Sequence, residues 1–346
     1  MRAAVLYEHG AREVVRVVDD LPVPEPGVGE VRVRIKAIAL NRLDLWVREG
    51  WKGLQLQTPH VTSADGAGIV DAVGAGVAHF AVGDRVCIDP TLVPAECAET
   101  MAGREHLCDG SAILGEHTQG VAAEYVVLPA RNLLRLPEHV SFAEAAAAGL
   151  VYVTAWHSLI TRGGLQAGES VLIIGASGGA NTAYLQIAKL AGATVYVIGS
   201  DAAKCAQARS LGADVTLDRS QDESWSKTLF KMTNRQGVDV VVDNVGQATL
   251  FDSIRSVKRG GRILIVGATS GPQFNLDIRY LFSKQISLIG STMGPHGDYV
   301  RVMNLVFDGK LKPVIGARLP LADIQEGHRL LEDGDVFGKV VLEIDG

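Results

Sequence analysis

The segment from about residue 141 to 290 alternates short apolar strands with helices, and this alternation restricts the fold more than any other feature. Five apolar runs are each long enough for a buried strand, and segments of helical spacing separate most of them. The predicted strands are 170–174, 194–198, 238–242, 262–266 and 286–289, and the predicted helices are 142–150, 184–191, 202–211 and 248–258. Parallel strands need such crossover helices, so we expect an α/β domain whose doubly wound parallel sheet is covered on both faces.

Residues 1–140 have a different pattern, of short strands separated by turns. Residues 31–38 alternate apolar and charged side chains, which is typical of a strand with one face in water. Five of the 39 glycines fall between residues 66 and 86, where short alternating runs end in turns. Such a density of strands and turns predicts a small, partly open β-barrel. Residues 89–120 show no period, and long irregular stretches in compact domains are usually functional or held by something.

Charge and cysteine content exclude several classes of protein. The 33 Lys and Arg residues against 39 Asp and Glu give a formal net charge of −6, which argues against nucleic acid as a partner. No run approaches the roughly 18 apolar residues of a membrane span, so we expect no membrane partner. Four cysteines in 346 residues are too few for a disulfide framework, which favours a reducing, cytoplasmic location. At this point Cys87, Cys97, Cys108 and Cys205 remain either metal ligands or packing residues.

A glycine-rich turn, 174–181, lies between the first strand of the predicted sheet and the next helix. Backbone amides at such a helix N-terminus bind a pyrophosphate, and a Cβ would block the turn or the approach of the phosphate. A second strand ending about twenty residues later favours dinucleotide binding over a turn that needs glycine only for packing. Asn181 stands where a third glycine is usual, so either the helix lies off the sheet or the Asn side chain faces the cofactor. The residues assigned to the cofactor here are Ser177, Gly178, Gly179 and Ala180.

The end of the second strand, 198–204, selects between cofactors. NAD needs an acid there for the ribose 2′-hydroxyl, whereas NADP needs room and positive charge for its phosphate. A glycine and Ser200 end the strand, Lys204 follows one turn later, and Arg219 after the third strand can add a second cation. Asp201 favours NAD unless it caps the next helix. We expect NADP, with NAD as the alternative.

Six segments together resemble the medium-chain dehydrogenase/reductase superfamily, over essentially the whole chain. They are 39–44 (ALNRLD), 65–70 (DGAGIV), 82–86 (VGDRV), 153–156 (VTAW), the 171–181 turn and 338–342 (GKVVL). The resemblance implies a GroES-like β-barrel domain (1–148 and 297–346) and a Rossmann domain (149–296), with catalysis in the cleft between them. It also implies a choice, because the superfamily contains zinc alcohol dehydrogenases and zinc-free reductases similar to quinone oxidoreductases and enoyl reductases.

The positions that hold zinc in the metal-dependent branch mostly carry other residues here. The ligands of the catalytic zinc would fall at side chains that do not bind zinc, namely Asn41, Ala64 and about Leu150. The ligands of the structural zinc would fall at Pro94, Cys97, Thr100 and Cys108. Glu96, Glu99 and His106 could complete a substitute set, but packing of the two cysteines is the favoured interpretation. The sequence therefore argues against zinc.

The loss of zinc ligands decides the expected reaction. Alcohol oxidation without a metal lacks its Lewis acid, whereas hydride addition to an activated C=C bond does not need one. We expect an NADPH-dependent enzyme that reduces an α,β-unsaturated carbonyl compound, an enoyl thioester or a quinone. The alternatives are an alcohol dehydrogenase of the zinc-type family with altered or relocated ligands, and a cofactor-binding protein without turnover.

Resemblance to the zinc-free branch implies catalytic roles for Asn41, Asp44 and Thr154. Asn41 would hydrogen-bond the substrate carbonyl or the nicotinamide ribose, with a turn residue as the alternative. Asp44 would anchor the cleft, with a catalytic acid as the alternative, and Thr154 would lie against the nicotinamide, with a helix contact as the alternative. The aromatic residues expected in the substrate pocket, or else in the core, are Trp46, Trp51 and Tyr152.

Further cofactor contacts are expected where later strands end, because ligands bind at the carboxyl edge of such sheets. The residues assigned there are Asn244, Val245, Gly267, Ala268 and Thr269, and the resemblance adds Lys339. The apolar edge strand near 286–291 should not stay open to water, so we expect a homodimer or homotetramer.

Overall fold

The structure, a computed structural model, describes residues 1–94 and 97–344. It divides into two compact units: unit 1 comprises Met1–Val151 and Pro295–Gly346, and unit 2 comprises Tyr152–Gly294. The sequence-based boundaries were 148/149 and 296/297. Within the described residues, no helix is both long enough and apolar enough to cross a membrane.

Strands form the sheets of unit 1 and the central sheet of unit 2. In chain order they are β1 (Ala3–Leu6), β2 (Arg16–Val18), β3 (Glu30–Ala39), β4 (His60–Val61), β5 (Asp65–Val73), β6 (Arg85–Ile88), β7 (Thr91–Leu92), β8 (Ala112–Ile113), β9 (Tyr125–Pro129), β10 (Leu133–Arg135), β11 (Ser170–Ile174), β12 (Thr194–Gly199), β13 (Val215–Asp218), β14 (Val238–Asp243), β15 (Val257–Ile265), β16 (Ser287–Gly290), β17 (Ile315–Pro320) and β18 (Lys339–Glu343).

The helices connect these strands. They are α1 (Arg42–Glu49), α2 (Ala98–Met101), α3 (Phe142–Trp156), α4 (Gly179–Leu190), α5 (Ala202–Ser210), α6 (Trp225–Met232), α7 (Leu250–Ser256), α8 (Arg279–Lys284), α9 (His296–Phe307) and α10 (Ile324–Asp333). A π-helical stretch, His157–Arg162, continues α3.

Three predicted helices have different bounds in the structure. The helix predicted at 184–191 begins earlier, because Gly178 acts as the N-cap of α4 and the rest of the glycine turn forms its first turn. The helix predicted at 248–258 ends sooner, because β15 begins at Val257. The helix predicted at 142–150 continues to Trp156 through a kink at Gly149.

The main sheet of unit 1 has the strand order β10-β6-β5-β3-β18-β17, and β9 pairs with β3. Strand β3 contains the alternating segment predicted from the sequence: Val31, Val33 and Ile35 are buried while the charged residues between them are partly exposed. Strand β3 pairs antiparallel with β5, β9 and β18, and at its end Ala39 is paired with both Asp65 of β5 and Val341 of β18. The strand-rich domain predicted from the sequence is thereby confirmed.

The sheet of unit 2 is entirely parallel, with the order β13-β12-β11-β14-β15-β16. Residues 171–173 and 240–242 are fully buried, as a sheet covered on both faces requires. The order reverses between β11 and β14, and ligands bind at the carboxyl ends of strands beside such a reversal. The predicted doubly wound domain is confirmed.

Candidate functional site

A buried carboxylate, that of Asp65 at the start of β5, organises a polar cluster in unit 1. Its Oδ1 accepts a hydrogen bond from the backbone N of Leu150 at 2.6 Å. Its Oδ2 accepts from Asn41 Nδ2 at 2.9 Å and from Lys339 Nζ at 3.1 Å. Asp65, Asn41 and Lys339 are all buried, so these bonds are shielded from water.

Asn41 and Asp44 form the second half of the cluster, at the N-terminus of α1. Asn41 is the N-cap of the helix, and its backbone N donates to Asp44 Oδ2 at 2.6 Å. Lys339 Nζ donates to Asn41 Oδ1 at 2.6 Å. Burial raises the pKa of Asp44 to about 6, against the opposing effects of the Asn41 amide and the Lys339 ammonium. The predicted catalytic residues Asn41 and Asp44 thus lie together, and Lys339 lies with them.

The sequence analysis did not identify Asp65 as the centre of this cluster. The signal available was an acid between small residues in a strand that is otherwise suited to a core, at the start of 65–70. Such an acid is buried only when it is paired or fully hydrogen-bonded. The partners of Asp65 come from β18, from α3 and from the end of β3, which are distant in sequence.

The kink at Gly149 allows Leu150 to reach Asp65. Gly149 has non-helical φ and ψ of −10° and −105°, within α3. A Cβ at this position would lie 2.1 Å from Asp65 Oδ1, so only glycine lets the helix approach the carboxylate.

We expect Gly149→Ala to lower the free energy of unfolding by about 1–3 kcal/mol, because the added carbon forces Asp65 away from its donors. Urea unfolding measures this change. Gly297→Ala is the control, since a Cβ there meets nothing within 4 Å and the residue lies in α9. The control should be neutral or slightly stabilising, and an equal loss in both variants would contradict this account of Gly149.

The residues of the cluster do not fit a catalytic zinc. A zinc site of this kind needs three ligands from Cys, His or carboxylate. Residue 41 is an amide, residue 64 an alanine and residue 150 a leucine, while the carboxylate of Asp65 is already bound by three donors. Among residues 1–94 and 97–344, no group of three or more His, Cys, Asp or Glu side chains could hold a metal ion.

The irregular lobe, 89–120, corrects the prediction for its cysteines. Cys97 and Cys108 form a disulfide, whereas we expected two packing thiols and no disulfide. The cysteine count could not show this, because the pairing depends on α2 and the following turn, which return the chain to Cys97.

The other residues considered as ligands of a structural metal have different surroundings. Glu99 is paired with Arg104, and Glu96 lies outside the described residues. Cys87 is a free buried thiol whose pKa burial raises to about 12.

The aromatic residues assigned to the substrate pocket separate into two groups. Trp46 and Trp51 of unit 1 are 36% and 43% exposed, so they are free to contact a ligand. Tyr152 of unit 2 is 1% exposed, and its hydroxyl accepts a hydrogen bond from Gln186, which fits the core alternative. Thr154, also in unit 2, is half-buried and directs its hydroxyl towards the sulfur of Met293 at 3.8 Å.

The glycine-rich turn of unit 2 has a backbone conformation that favours glycine. Gly175 has a φ of +101°, and a Cβ there would lie 2.5 Å from Asn181 Nδ2. The turn leads directly into the N-terminus of α4, where backbone amides and the helix dipole favour an anion.

The structure shows which groups the side chain of Asn181 contacts. Its side chain is buried and points to the strand ends: Nδ2 donates to Ile174 O at 3.3 Å, and Oδ1 accepts from Asn244 Nδ2 at 2.7 Å. Asn181 therefore connects β11 to the segment after β14. This bond also engages Asn244, one of the residues assigned to the cofactor.

Two further segments assigned to the cofactor lie side by side at the carboxyl edge of the sheet. Residues 244–245 and 267–270 are joined by backbone bonds from Thr269 N to Asn244 O and from Ser270 N to Val245 O. The sequence analysis missed Asp243, which shapes this edge. Its buried carboxylate accepts from the backbone N of Val245 and of Gly246, each at 2.9 Å, and from hydroxyls of α7 and its N-cap.

The end of β12 holds the residues that select the cofactor. Asp201 is the N-cap of α5, where its Oδ1 accepts from the backbone N of Lys204 at 2.8 Å and its Oδ2 from Ser200 Oγ at 2.8 Å. The backbone N of Arg219 donates to Gly199 O, which places Arg219 beside Ser200. Both carboxylate oxygens of Asp201 thus already accept hydrogen bonds from neighbouring residues.

Comparison with known proteins agrees with this architecture. The family model of the alcohol dehydrogenase GroES-like domain matches residues 27–138, and that of zinc-binding dehydrogenases matches residues 181–308. Quinone oxidoreductase of Homo sapiens is 28% identical over 99% of this chain and 97% of its own length. Acryloyl-coenzyme A reductase of Sulfurisphaera tokodaii is 27% identical over 94% of this chain and 95% of its own.

A solved structure described as an NAD-dependent alcohol dehydrogenase is more similar. It is 46% identical, covers 100% of both chains and superposes with a TM-score of 0.96. The two domain types, the strand order and these full-length similarities lead to one conclusion. The chain belongs to the medium-chain dehydrogenase/reductase superfamily.

Proposed function

We propose that this nicotinamide-dependent oxidoreductase reduces an activated C=C bond or a quinone with NADPH and without a metal. The proposal depends on the cluster around Asp65. Its side chains are hydrogen-bonded to one another, and they do not include the ligands that a zinc ion needs. The names of two relatives, a quinone oxidoreductase and an acryloyl-coenzyme A reductase, agree with substrates of this class.

An unsaturated carbonyl or thioester substrate would accept hydride at its β-carbon and a solvent proton at its α-carbon, whereas a quinone would accept hydride and a proton to give the hydroquinone. Hydride is what the bound nicotinamide supplies. We assign the binding of the dinucleotide to the glycine turn and the edge formed by 244–245 and 267–269. Asn41 and Asp44 form the polar wall of the substrate site, Trp46 and Trp51 its exposed aromatic wall, and Thr154 a nicotinamide contact.

The test is a panel of enones, enoyl thioesters and quinones, followed by the loss of NADPH absorbance. We expect turnover of at least one of these classes. An absence of turnover across the panel, together with oxidation of simple alcohols, would contradict the proposal.

Alcohol oxidation is the second candidate, because the solved structure at 46% identity is described as an alcohol dehydrogenase. For this chain, such an activity would need a Lewis acid held by ligands other than residues 41, 64 and 150. A panel of primary and secondary alcohols with NAD⁺ and NADP⁺ distinguishes the two candidates.

We also propose that NADP is preferred over NAD, on the basis of Lys204 and Arg219 near the end of β12. We expect the double variant Lys204→Ala/Arg219→Ala to weaken NADPH binding at least about tenfold while NADH binding changes less than about twofold. Isothermal titration measures both. Arg209→Ala, on the exposed face of α5, is the control, and an equal effect on both cofactors would contradict the assignment.

A homodimer or homotetramer through β16 is part of the proposal. Strand β16 stands at one end of the sheet order, and exposed apolar side chains of Ile278 and Phe282 lie in the segment just before it. Light scattering during size-exclusion chromatography should give a multiple of the 36.7 kDa chain mass, and a monomer would contradict it. The cytoplasmic location expected from the cysteine count stays a prediction.

A further inference from the structure

The hydrogen-bonding capacity of Asn41 fixes the orientation of its amide. A carboxylate only accepts hydrogen bonds and an ammonium only donates them. Asn41 Nδ2 therefore faces Asp65 Oδ2, and Asn41 Oδ1 faces Lys339 Nζ. The second proton of Nδ2 is directed to Ala39 O at 3.4 Å. Both amide protons thus have acceptors, and Oδ1 accepts from the ammonium.

Lys339 provides the positive charge around which the cluster is arranged. Its Nζ contacts one oxygen of Asn41 and one of Asp65, at 2.6 and 3.1 Å, and the residue is 3% exposed. The positions that hold zinc ligands in the zinc branch lie next to Lys339 and Asp65. Asn41 is bound to Lys339, Ala64 precedes Asp65 in the chain, and Leu150 N is bound to Asp65. The ammonium contacts residue 41 directly, in place of a metal–ligand bond.

We propose that Lys339 is a positioning residue whose ammonium takes over the charge of the missing metal, orienting the Asn41 amide and compensating the two buried carboxylates. The inference rests on the proposed metal-free function of this site. It also argues against one of the roles expected for Asn41, because donating to a substrate carbonyl would break the bond to Asp65 or to Ala39.

The charged groups that act on Asp44 make this inference measurable. Asp44 lies on α1, and the charged groups that face it are Lys339 from β18 and Asp65 from β5. Lys339 lowers the pKa of Asp44 and Asp65 raises it, while burial is the largest effect. Removing Lys339 should therefore raise the pKa of Asp44, and removing the charge of Asp65 should lower it.

The experiment is a ¹³C NMR titration of aspartate-labelled full-length protein, with Asp44→Asn used to assign the resonance. We expect Lys339→Met to raise the pKa of Asp44 by about one unit or more, and Asp65→Asn to lower it. Lys339→Arg, which keeps the charge, should stay within about half a unit of the wild type. The double variant Asp65→Asn/Lys339→Met removes both of the charges that face Asp44, so their opposing effects cancel and the pKa should return towards the wild-type value.

The control is Lys310→Met, which removes an exposed unit 1 lysine that is paired with Asp308 and should leave Asp44 unchanged. In parallel, Lys339→Met should lower kcat for the reduced substrate at least about tenfold more than Lys339→Arg does. An Asp44 pKa that does not move in Lys339→Met, or kcat losses that are equal for Met and Arg, would overturn the inference. The titration needs no turnover, so a shifted pKa in a protein inactive on the substrate panel would contradict the proposed function and leave the role of Lys339 intact.

Discussion

Replacing Asp65 with alanine is expected to lower the free energy of unfolding by about 3–5 kcal/mol, because it leaves a buried ammonium without its carboxylate. Three donors lose their acceptor at once: Leu150 N, Asn41 Nδ2 and Lys339 Nζ. The reductase rate should fall below about one hundredth of the wild-type rate, because Asn41 and Asp44 lose their fixed positions. Urea unfolding and the substrate assay measure the two effects.

Asp71→Ala is the matched control, because Asp71 lies on the same strand, β5. Its carboxylate is 29% exposed and pairs with Arg32 at 2.7 Å. Losing this pair should cost less than about 1 kcal/mol, with the activity unchanged. If the two variants are equally stable, Asp65 does not organise the cluster.

Replacing Asp243 with alanine is the second change with a large expected effect. The backbone N of Val245 and of Gly246, and the hydroxyls of Thr249 and Ser253, would lose their shared acceptor in a buried position. Each unsatisfied buried donor costs about 1–3 kcal/mol, and partial relaxation leaves an expected loss of about 3 kcal/mol. Because segment 244–245 then moves relative to 267–270, we expect NADPH affinity to fall at least about tenfold.

Asp277→Ala is the control for this change. Asp277 lies in unit 2, is 38% exposed and pairs with its neighbour Arg279. Isothermal titration of NADPH with the three proteins gives the comparison. Wild-type affinity in Asp243→Ala would show that the 243–246 turn is not part of the cofactor site.

The architecture of both units could be predicted from the sequence because it depends on local periodicity. Alternation in 31–38 marks β3, and the apolar runs at 170–174 and 238–242 mark the buried parallel strands β11 and β14. The cap alternative for Asp201 was equally local, because this residue immediately precedes α5 and is its N-cap. Helix ends were less accurate, because the end of α7 is set by where β15 starts to pair.

The side-chain network could not be predicted, because its members are far apart in the chain. Lys339 follows Asn41 by 298 residues and Asp65 by 274, so no local pattern indicates that one ammonium binds both. Lys339 was predicted to contact the cofactor, and its ammonium is bonded to Asn41 and Asp65 in the structure. The disulfide between Cys97 and Cys108 was missed for a similar reason, since composition gives a number of cysteines and not their distances.

The most direct test of the central claim combines metal content with activity in one protein sample. The chain is purified without chelator, its zinc is measured by mass spectrometry, and NADPH-dependent reduction is assayed before and after dialysis against a strong chelator. We expect fewer than about 0.1 zinc ions per chain and the same rate before and after dialysis. About one zinc ion per chain, with activity that is lost on dialysis and restored by added zinc, would contradict this claim.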